Sequence, residues 1–216
     1  MRMSRLLILG AGGHAKIVAE TALSSGVASS IAFLDDRLTG LDACLPVLGW
    51  PVIGPLGLSL QADTRSQFDA AVVAIGHAAT RLKWINQLQA AGYHLPALMH
   101  PTSWVSPSAQ LGPASVVFAH AAVQAQASVG TGAILNTGCS VDHGAQLADG
   151  VHICPGARLA GDVTVDARSW IGIGASVIQQ VRIGSDVTVG AGAAVVRDLP
   201  SSVTAVGVPA RVLPSN

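Results

Sequence analysis

Residues 141–164 read VDHGAQ LADGVH ICPGAR LAGDVT, and the spacing they display runs far to either side. From Val105 through Leu111, Val117 and onward to Val195, every sixth residue is aliphatic, sixteen times in succession. Four residues after each of the first nine stands a second, mostly small residue: Ala109, Ser115, Ala121, Ala127, Ala133, Cys139, Ala145, Val151 and Ala157. Six residues make about 1.67 turns of an α-helix, so no helical face keeps this period. A short fixed repeat with one buried aliphatic and one small inward position is the signature of a parallel β-helix. Each hexapeptide supplies a short flat strand and a corner, and three of them close a triangular coil. Residues eighteen positions apart then stack roughly 4.8 Å apart along the axis.

The composition suits such a narrow prism. Half of the 216 residues are apolar, only 11% are charged and 4% aromatic. Formal net charge is zero and no long basic run occurs, which argues against nucleic acid or a membrane surface as partner. The opening MRMSRLLILG places basic residues before an apolar run, but the run ends at Gly10-Ala11-Gly12-Gly13, too short for a secretory core. No segment is long and apolar enough to span a bilayer. Cys44, Cys139 and Cys154 form an odd set without metal or disulfide spacing. Reduced thiols and a cytoplasmic protein are the expectation.

The first hundred residues follow another rule. Leu6 to Leu9 reads as a strand, Gly10-Ala11-Gly12-Gly13-His14 as a tight turn, and Ala15 to Leu23 as a helix with Ile17, Val18 and Leu23 toward a sheet. Further strands are expected at Ile31–Leu34 and Ala70–Ile75, and a second amphipathic helix over Arg81–Ala91 with Leu82, Ile85 and Leu88 on one face. Alternating strands and helices predict a small parallel, Rossmann-like βαβ sheet. The turn lacks the third glycine of the dinucleotide fingerprint, since Lys16 and Ile17 stand there, so by itself it fits a ligand or merely a tight connection. Asp35-Asp36 at the end of the second strand favours the ligand. Open α/β sheets bind at the carboxyl ends of their strands. A carboxylate there accepts from a ribose hydroxyl or a base N–H, and the helix start holds a diphosphate. The extended stretch Pro96–Pro101, with His100 in a structural role, reads as a hinge. Residues 1–98 and 99–216 are the expected domains.

Several segments then fall in a telling order: GAGGHAK near the start, FLDD at 33–36, IGHAATR at 75–81, MHP at 99–101, ILNTGCSVDH at 134–143 and GVPAR at 207–211. Over nearly its whole length the chain resembles the sialic acid O-acetyltransferase-type, hexapeptide-repeat sugar acyltransferases, which include N-acetyltransferases for nucleotide-linked 4-amino sugars of the bacillosamine and perosamine type. The resemblance implies that the β-helix is left-handed, that the protein is a homotrimer, and that acetyl-CoA is the donor. It implies a nucleotide-linked 4-amino-4,6-dideoxy sugar as acceptor, bound by the N-terminal domain through Gly12, Gly13, His14, Asp35 and Asp36, with Asn136 near the sugar. His143 is implied as the catalytic base, and His152, Gly161 and Ile173 as acetyl-CoA contacts. No metal is expected.

The residues themselves bear on these roles. His143 follows the core residue Val141 by two positions, so it belongs to a corner and not to the apolar lumen. A neutral imidazole accepts a proton from an amine as it attacks a thioester. Gly161 is one coil later, and its N–H is one rung away, a candidate oxyanion donor. The related enzymes commonly carry an acidic residue directly after this histidine. Here Gly144 takes that place and Asp142, on the other side, is the candidate to orient the ring. His152 lies nine residues after His143, half a coil, so one prism cannot bring both to one acetyl group. A site between subunits is expected. His77, His94 and His120 read as structural or solvated. Three other readings stand beside this one: an O-acetyltransferase acting on a sialic acid-type sugar, a non-catalytic nucleotide-sugar scaffold, and a β-helical carbonic anhydrase recruiting His120, His143 and His152. The spacing of those three histidines matches no zinc pattern.

Overall fold

A computed structural model describes residues 4–37 and 46–214. The chain forms two compact units, Met1–Pro101 and Thr102–Asn216.

In the first unit, strand β1 (Ser4–Leu9) leads into helix α1 (Gly13–Ser24) and strand β2 (Ala28–Leu34). Strand β3 (Val52–Gly54), helix α2 (Ala62–Gln67), strand β4 (Ala70–Val73) and helix α3 (Ala78–Ala90) follow. The sheet order is β3-β2-β1-β4 and every neighbouring pair is parallel. Leu6 to Leu9 are wholly buried, as a central parallel strand covered on both faces requires. Helix α1 begins two residues earlier than the sequence suggests and turns Ala15, Val18, Ala19 and Ala22 to the sheet. Ile17, expected inward, is 42% exposed, because the alanines set the buried stripe. The carboxyl ends of β1, β2 and β4 converge: the Gly10 N–H donates to Leu34 O at 2.7 Å and the Ala74 N–H to Leu9 O at 2.7 Å.

The second unit is the left-handed parallel β-helix. Sixteen two-residue strands run from Trp104–Val105 to Ala194–Val195, each ending on one of the periodic aliphatics. Partners are eighteen residues apart, as in Ser140↔Arg158 and His152↔Trp170. Val141, Leu147, Ile153, Leu159 and their successors are buried in the lumen together with Ala145, Val151 and Ala157, so both positions of the hexapeptide point inward. Fully burying one such aliphatic is worth about 1.5–3 kcal/mol.

The corners obey a rule of their own. From Ala114 to Gly192, every sixth residue has positive φ, and seven of those positions are not glycine: Ala114, His120, Gln126, Asp162, Arg168, Gln180 and Asp186. His120 thus belongs to the corner geometry. After Val195 the phase shifts, and Val189 pairs with Ala205, sixteen residues on, before a short antiparallel return from Thr204–Val206 to Arg211–Val212 ends the coil.

Candidate active site

In the N-terminal unit, Gly12, Gly13, His14, Asp35 and Asp36 all line one cleft of about 390 Å³ at the carboxyl ends of β1, β2 and β4. Gly12 is the N-cap of α1 with extended backbone and no side-chain cap, and the first turn holds no acidic residue. The helix therefore presents backbone N–H groups and the positive end of its dipole to the cleft. His14, on that first turn, is half-buried. Burial, and then the charge of Arg81, hold its pKa down to about 4, so the ring is neutral at pH 7. Arg81 is buried beneath the cleft and donates through Nη1 to the carbonyls of Ile75 (2.8 Å) and Gly76 (2.6 Å), fixing the loop after β4. His77 caps α3 by accepting the Thr80 N–H at 3.3 Å, a structural role.

The two aspartates divide their work. Successive residues at a strand end project to opposite sides. Asp35 is buried, and its Oδ2 accepts the Ala11 N–H at 2.8 Å, so it ties β2 to the glycine turn. Arg37 donates to the same carboxylate through its backbone N–H (2.9 Å), Nε (3.0 Å) and Nη2 (2.7 Å). The Arg37 bonds hold the Asp35 carboxyl down to about 2. Asp36 is exposed, and its Oδ1 accepts the Leu56 N–H at 2.8 Å. Of the two carboxylates lining the cleft, Asp36 is the exposed one. Arg37, which the sequence reading passed over, lines the same cleft. Its signal was positional: two residues beyond Asp35, it returns to the side that Asp35 faces.

In the β-helix, His143 is exposed on the corner between the strands Ser140–Val141 and Gln146–Leu147. Its ring lies against Gly161. A Cβ built on that glycine would stand 2.5 Å from Cε1, 2.6 Å from Nε2 and 3.2 Å from Nδ1. The Asp162 N–H donates to the His143 carbonyl at 2.9 Å and locks the two corners together. Among the described residues the Gly161 N–H has no acceptor. Asp142 Oδ1 accepts the His143 backbone N–H at 2.8 Å, so its bond is to the main chain of the corner and not to the imidazole. Among the described residues no carboxylate pairs with the His143 ring. Gly144, at φ +66°, gives room to Asp162, whose Oδ1 lies where a side chain at 144 would begin.

Asn136 and His152 meet on a neighbouring side. Asn136 Nδ2 lies 3.2 Å from His152 Nε2, while Asn136 Oδ1 accepts the Thr137 N–H at 2.9 Å. His152 is 7% exposed and packs on Trp170 with ring centroids 4.1 Å apart. Ile173 is 61% exposed. The chain thus brings His143 and Gly161 into one group and Asn136, His152 and Trp170 into another. Cys139 and Cys154 are buried, and burial pushes both thiols up to about 12, far from nucleophilic thiolate. Cys44 lies outside the described residues. Among the described residues, His120, His143 and His152 do not form a metal-ligand cluster.

Comparison with known proteins extends these observations. Residues 5–88 match the PglD N-terminal domain family. The acetyltransferase domain of PglB from Neisseria gonorrhoeae FA1090, in complex with acetyl coenzyme A, is 44% identical, with 98% of this chain and 100% of that one covered at a TM-score of 0.91. PerB from Caulobacter crescentus, in complex with CoA and GDP-perosamine, is 40% identical over 97% of both chains with a TM-score of 0.89. WeeI from Acinetobacter baumannii AYE is 26% identical over 96% of this chain and 99% of that one, with a TM-score of 0.86. Curated relatives match short stretches only. The serine acetyltransferase of Synechococcus elongatus is 49% identical over 43 residues, 18% of its length, and the galactoside O-acetyltransferase of Lactococcus lactis 39% identical over 57 residues, 28% of its length. The protein is an acyltransferase built on a hexapeptide-repeat β-helix. Full-length likeness at this identity narrows the class further. The chain belongs to the nucleotide amino-sugar N-acetyltransferases.

Proposed function

We propose that the protein transfers the acetyl group of acetyl-CoA to the amino group of a nucleotide-linked 4-amino-4,6-dideoxy sugar, with His143 as general base. The observation that carries this reading is the full-length likeness to PerB, whose structure holds CoA and GDP-perosamine together. An amine acceptor is preferred to a hydroxyl. The perosamine N-acetyltransferase from Caulobacter crescentus is similar over 97% of both chains, whereas the galactoside O-acetyltransferase matches over 57 residues only.

The chemistry follows from the site. A sugar ammonium must lose a proton before or as its nitrogen attacks the thioester carbonyl. That proton passes to solvent, and the His143 imidazole, held against Gly161, accepts the second proton, which the nitrogen sheds as the C–N bond forms. Negative charge then builds on the former carbonyl oxygen, and the unengaged Gly161 N–H is the donor that meets it. Collapse of the tetrahedral intermediate breaks the C–S bond, leaves the amide on the sugar, and returns the proton from His143 to the departing thiolate. Asp142 holds the corner backbone and sits outside the proton path. The nucleotide binds in the N-terminal cleft, with its diphosphate at the start of α1 near Gly12, Gly13 and His14, and its base or ribose donating to Asp36.

Acetyl-CoA contacts His152, Gly161 and Ile173 in this reading, and Asn136 faces the sugar. Since His143 and His152 belong to separate groups on one prism, the active sites lie between the subunits of a cyclic homotrimer. The exposed Ile173 and Val208, the latter 77% accessible, supply apolar surface for a CoA chain or a neighbouring subunit. The protein works in the cytoplasm, where acetyl-CoA and nucleotide sugars are made. The test is acetyl transfer from acetyl-CoA to UDP-, dTDP- and GDP-linked 4-amino sugars, read by thiol release and by product mass. Acetylation at nitrogen with one of the three is expected. Failure with all three, or acetylation at a hydroxyl, would overturn the proposal.

A further inference from the structure

Among the described residues lining the N-terminal cleft, one is an exposed cation, and its placement is specific. Arg37 is 74% exposed, yet its guanidinium is not loose. Nε and Nη2 are held by the two oxygens of the buried Asp35 at 3.0 and 2.7 Å. Asp35 in turn is held by the Ala11 N–H, so the guanidinium is anchored to the glycine turn itself. The anchor aims it. Nη2 lies 3.1 Å from the point where a Cβ on Gly12 would stand, over the N-terminus of α1. Two independent donors of positive potential therefore meet at one place: the uncapped start of a twelve-residue helix and an exposed guanidinium. Asp35 has no acceptor capacity left for a ligand. The Ala11 N–H and three Arg37 N–H groups fill the roughly four lone-pair directions of its carboxylate. Arg37 has capacity to spare, since among the described residues Nη1 has no acceptor.

We propose that Arg37 is the side chain that binds the diphosphate of the substrate nucleotide, and that Asp35 is a positioning residue that aims it. This rests on the nucleotide-sugar reading of the cleft. It reassigns Asp35 from direct contact with base or ribose, and leaves Asp36 as the carboxylate that reads them. It also accounts for a carboxylate so near an anion site, because the Asp35 charge is neutralised by the same guanidinium that faces the phosphate.

Isothermal titration of the full chain tests it with UDP, dTDP and GDP and, in parallel, their nucleosides. The variants are Arg37→Ala, Arg37→Gln and Arg37→Lys. Gln keeps a hydrogen bond to Asp35 without the charge, and Lys keeps the charge without the planar fork, so the test survives if removal to alanine unsettles the turn. A charge-assisted phosphate contact corresponds to roughly 10- to 100-fold in affinity. The expected result is a loss of that size in Arg37→Ala and Arg37→Gln for the best-bound nucleoside diphosphate, less than about 2-fold for its nucleoside, and partial recovery in Arg37→Lys. Equal losses on diphosphate and nucleoside, or none on either, would assign Arg37 to the fold alone and leave the nucleotide-sugar reading intact. If the wild-type chain binds no nucleoside diphosphate, both fall.

Discussion

Replacing Gly161 with alanine isolates the geometry of the proposed base from its identity. The new Cβ would stand 2.5 Å from Cε1 and 2.6 Å from Nε2 of His143, whereas real Cβ atoms essentially never come under 3.0 Å and ordinary contacts lie at 3.4–4 Å. The imidazole must retreat by about 1 Å, and a misplacement of that size costs on the order of 10²-fold in rate when reacting atoms have to be aligned. The backbone has no matching objection. Gly161 is not among the residues with positive φ, and the alanine keeps the N–H that the mechanism assigns to the oxyanion. The ring yields because it is the exposed end of a side chain, so the thermal midpoint should move by no more than a few degrees. Steady-state kinetics on Gly161→Ala, His143→Ala and the double variant decide the matter. Gly161→Ala should lower kcat by about 10²-fold, and the double variant should be no slower than His143→Ala, because both act through one ring. If the losses multiply, Gly161 contributes independently of His143. If Gly161→Ala retains wild-type kcat, the packing of ring on glycine has nothing to do with catalysis.

Three further outcomes are expected. His143→Ala should lower kcat by about 10²–10⁴-fold with the fold intact, while Asp142→Asn, whose amide oxygen still accepts the His143 N–H, should cost less than about 10-fold; equal losses in kcat would put Asp142 in the proton path. Asp36→Ala should raise KM for the nucleotide sugar and leave KM for acetyl-CoA unchanged, and parallel losses for both substrates would mean that its bond to Leu56 serves the fold instead. His14, with its pKa held down to about 4, stays neutral in the folded chain while the unfolded chain takes up a proton below about 6.5. Its contribution is complete above pH 6.5 and is lost as pH falls toward 4, by roughly 3 kcal/mol. Urea midpoints at pH 7 and 4.5 should therefore converge in His14→Gln relative to wild type, and an unchanged pH dependence would refute this.

The coil was legible because its signal is pure spacing. Sixteen aliphatics in one phase survive any local ambiguity, and eighteen-residue stacking follows from three sides. The left-handed corners were half hidden, since half of the positive-φ positions carry Ala, His, Gln, Asp or Arg and carry no glycine mark of their own. Their phase, three residues after each inward aliphatic, betrays them only once the coil is known. In the first unit the central strands showed as apolar runs, but Val52–Gly54 is three residues long and the helix Ala62–Gln67 reads ADTRSQ, with no apolar stripe to find. The doublet Asp35-Asp36 marked the cleft without saying which carboxylate faces it. That depends on strand direction and on Arg37, two residues beyond.

The absence of an acid after His143 looks like a defect when the sequence is read along the chain, and different when it is read down the prism. Gly144 and Asp162 occupy the same corner one coil apart, both with positive φ, and the Asp162 carboxylate fills the space that a side chain at 144 would take. A carboxylate thus flanks the His143 corner from the rung beyond it. In the next column of corners, two side chains eighteen residues apart are bonded: Arg168 and Asp186 are joined through Nε at 2.8 Å and again through Nη2. In a coil of fixed period, a group displaced from position i can be supplied from i+18 at nearly the same point in space, because the axial step is only roughly 4.8 Å. Motifs written as consecutive residues therefore understate what a β-helix can assemble. The unit that determines the surroundings of His143 is the column of corners 144 and 162 beside the packing of the ring on Gly161, and no run of adjacent residues contains it.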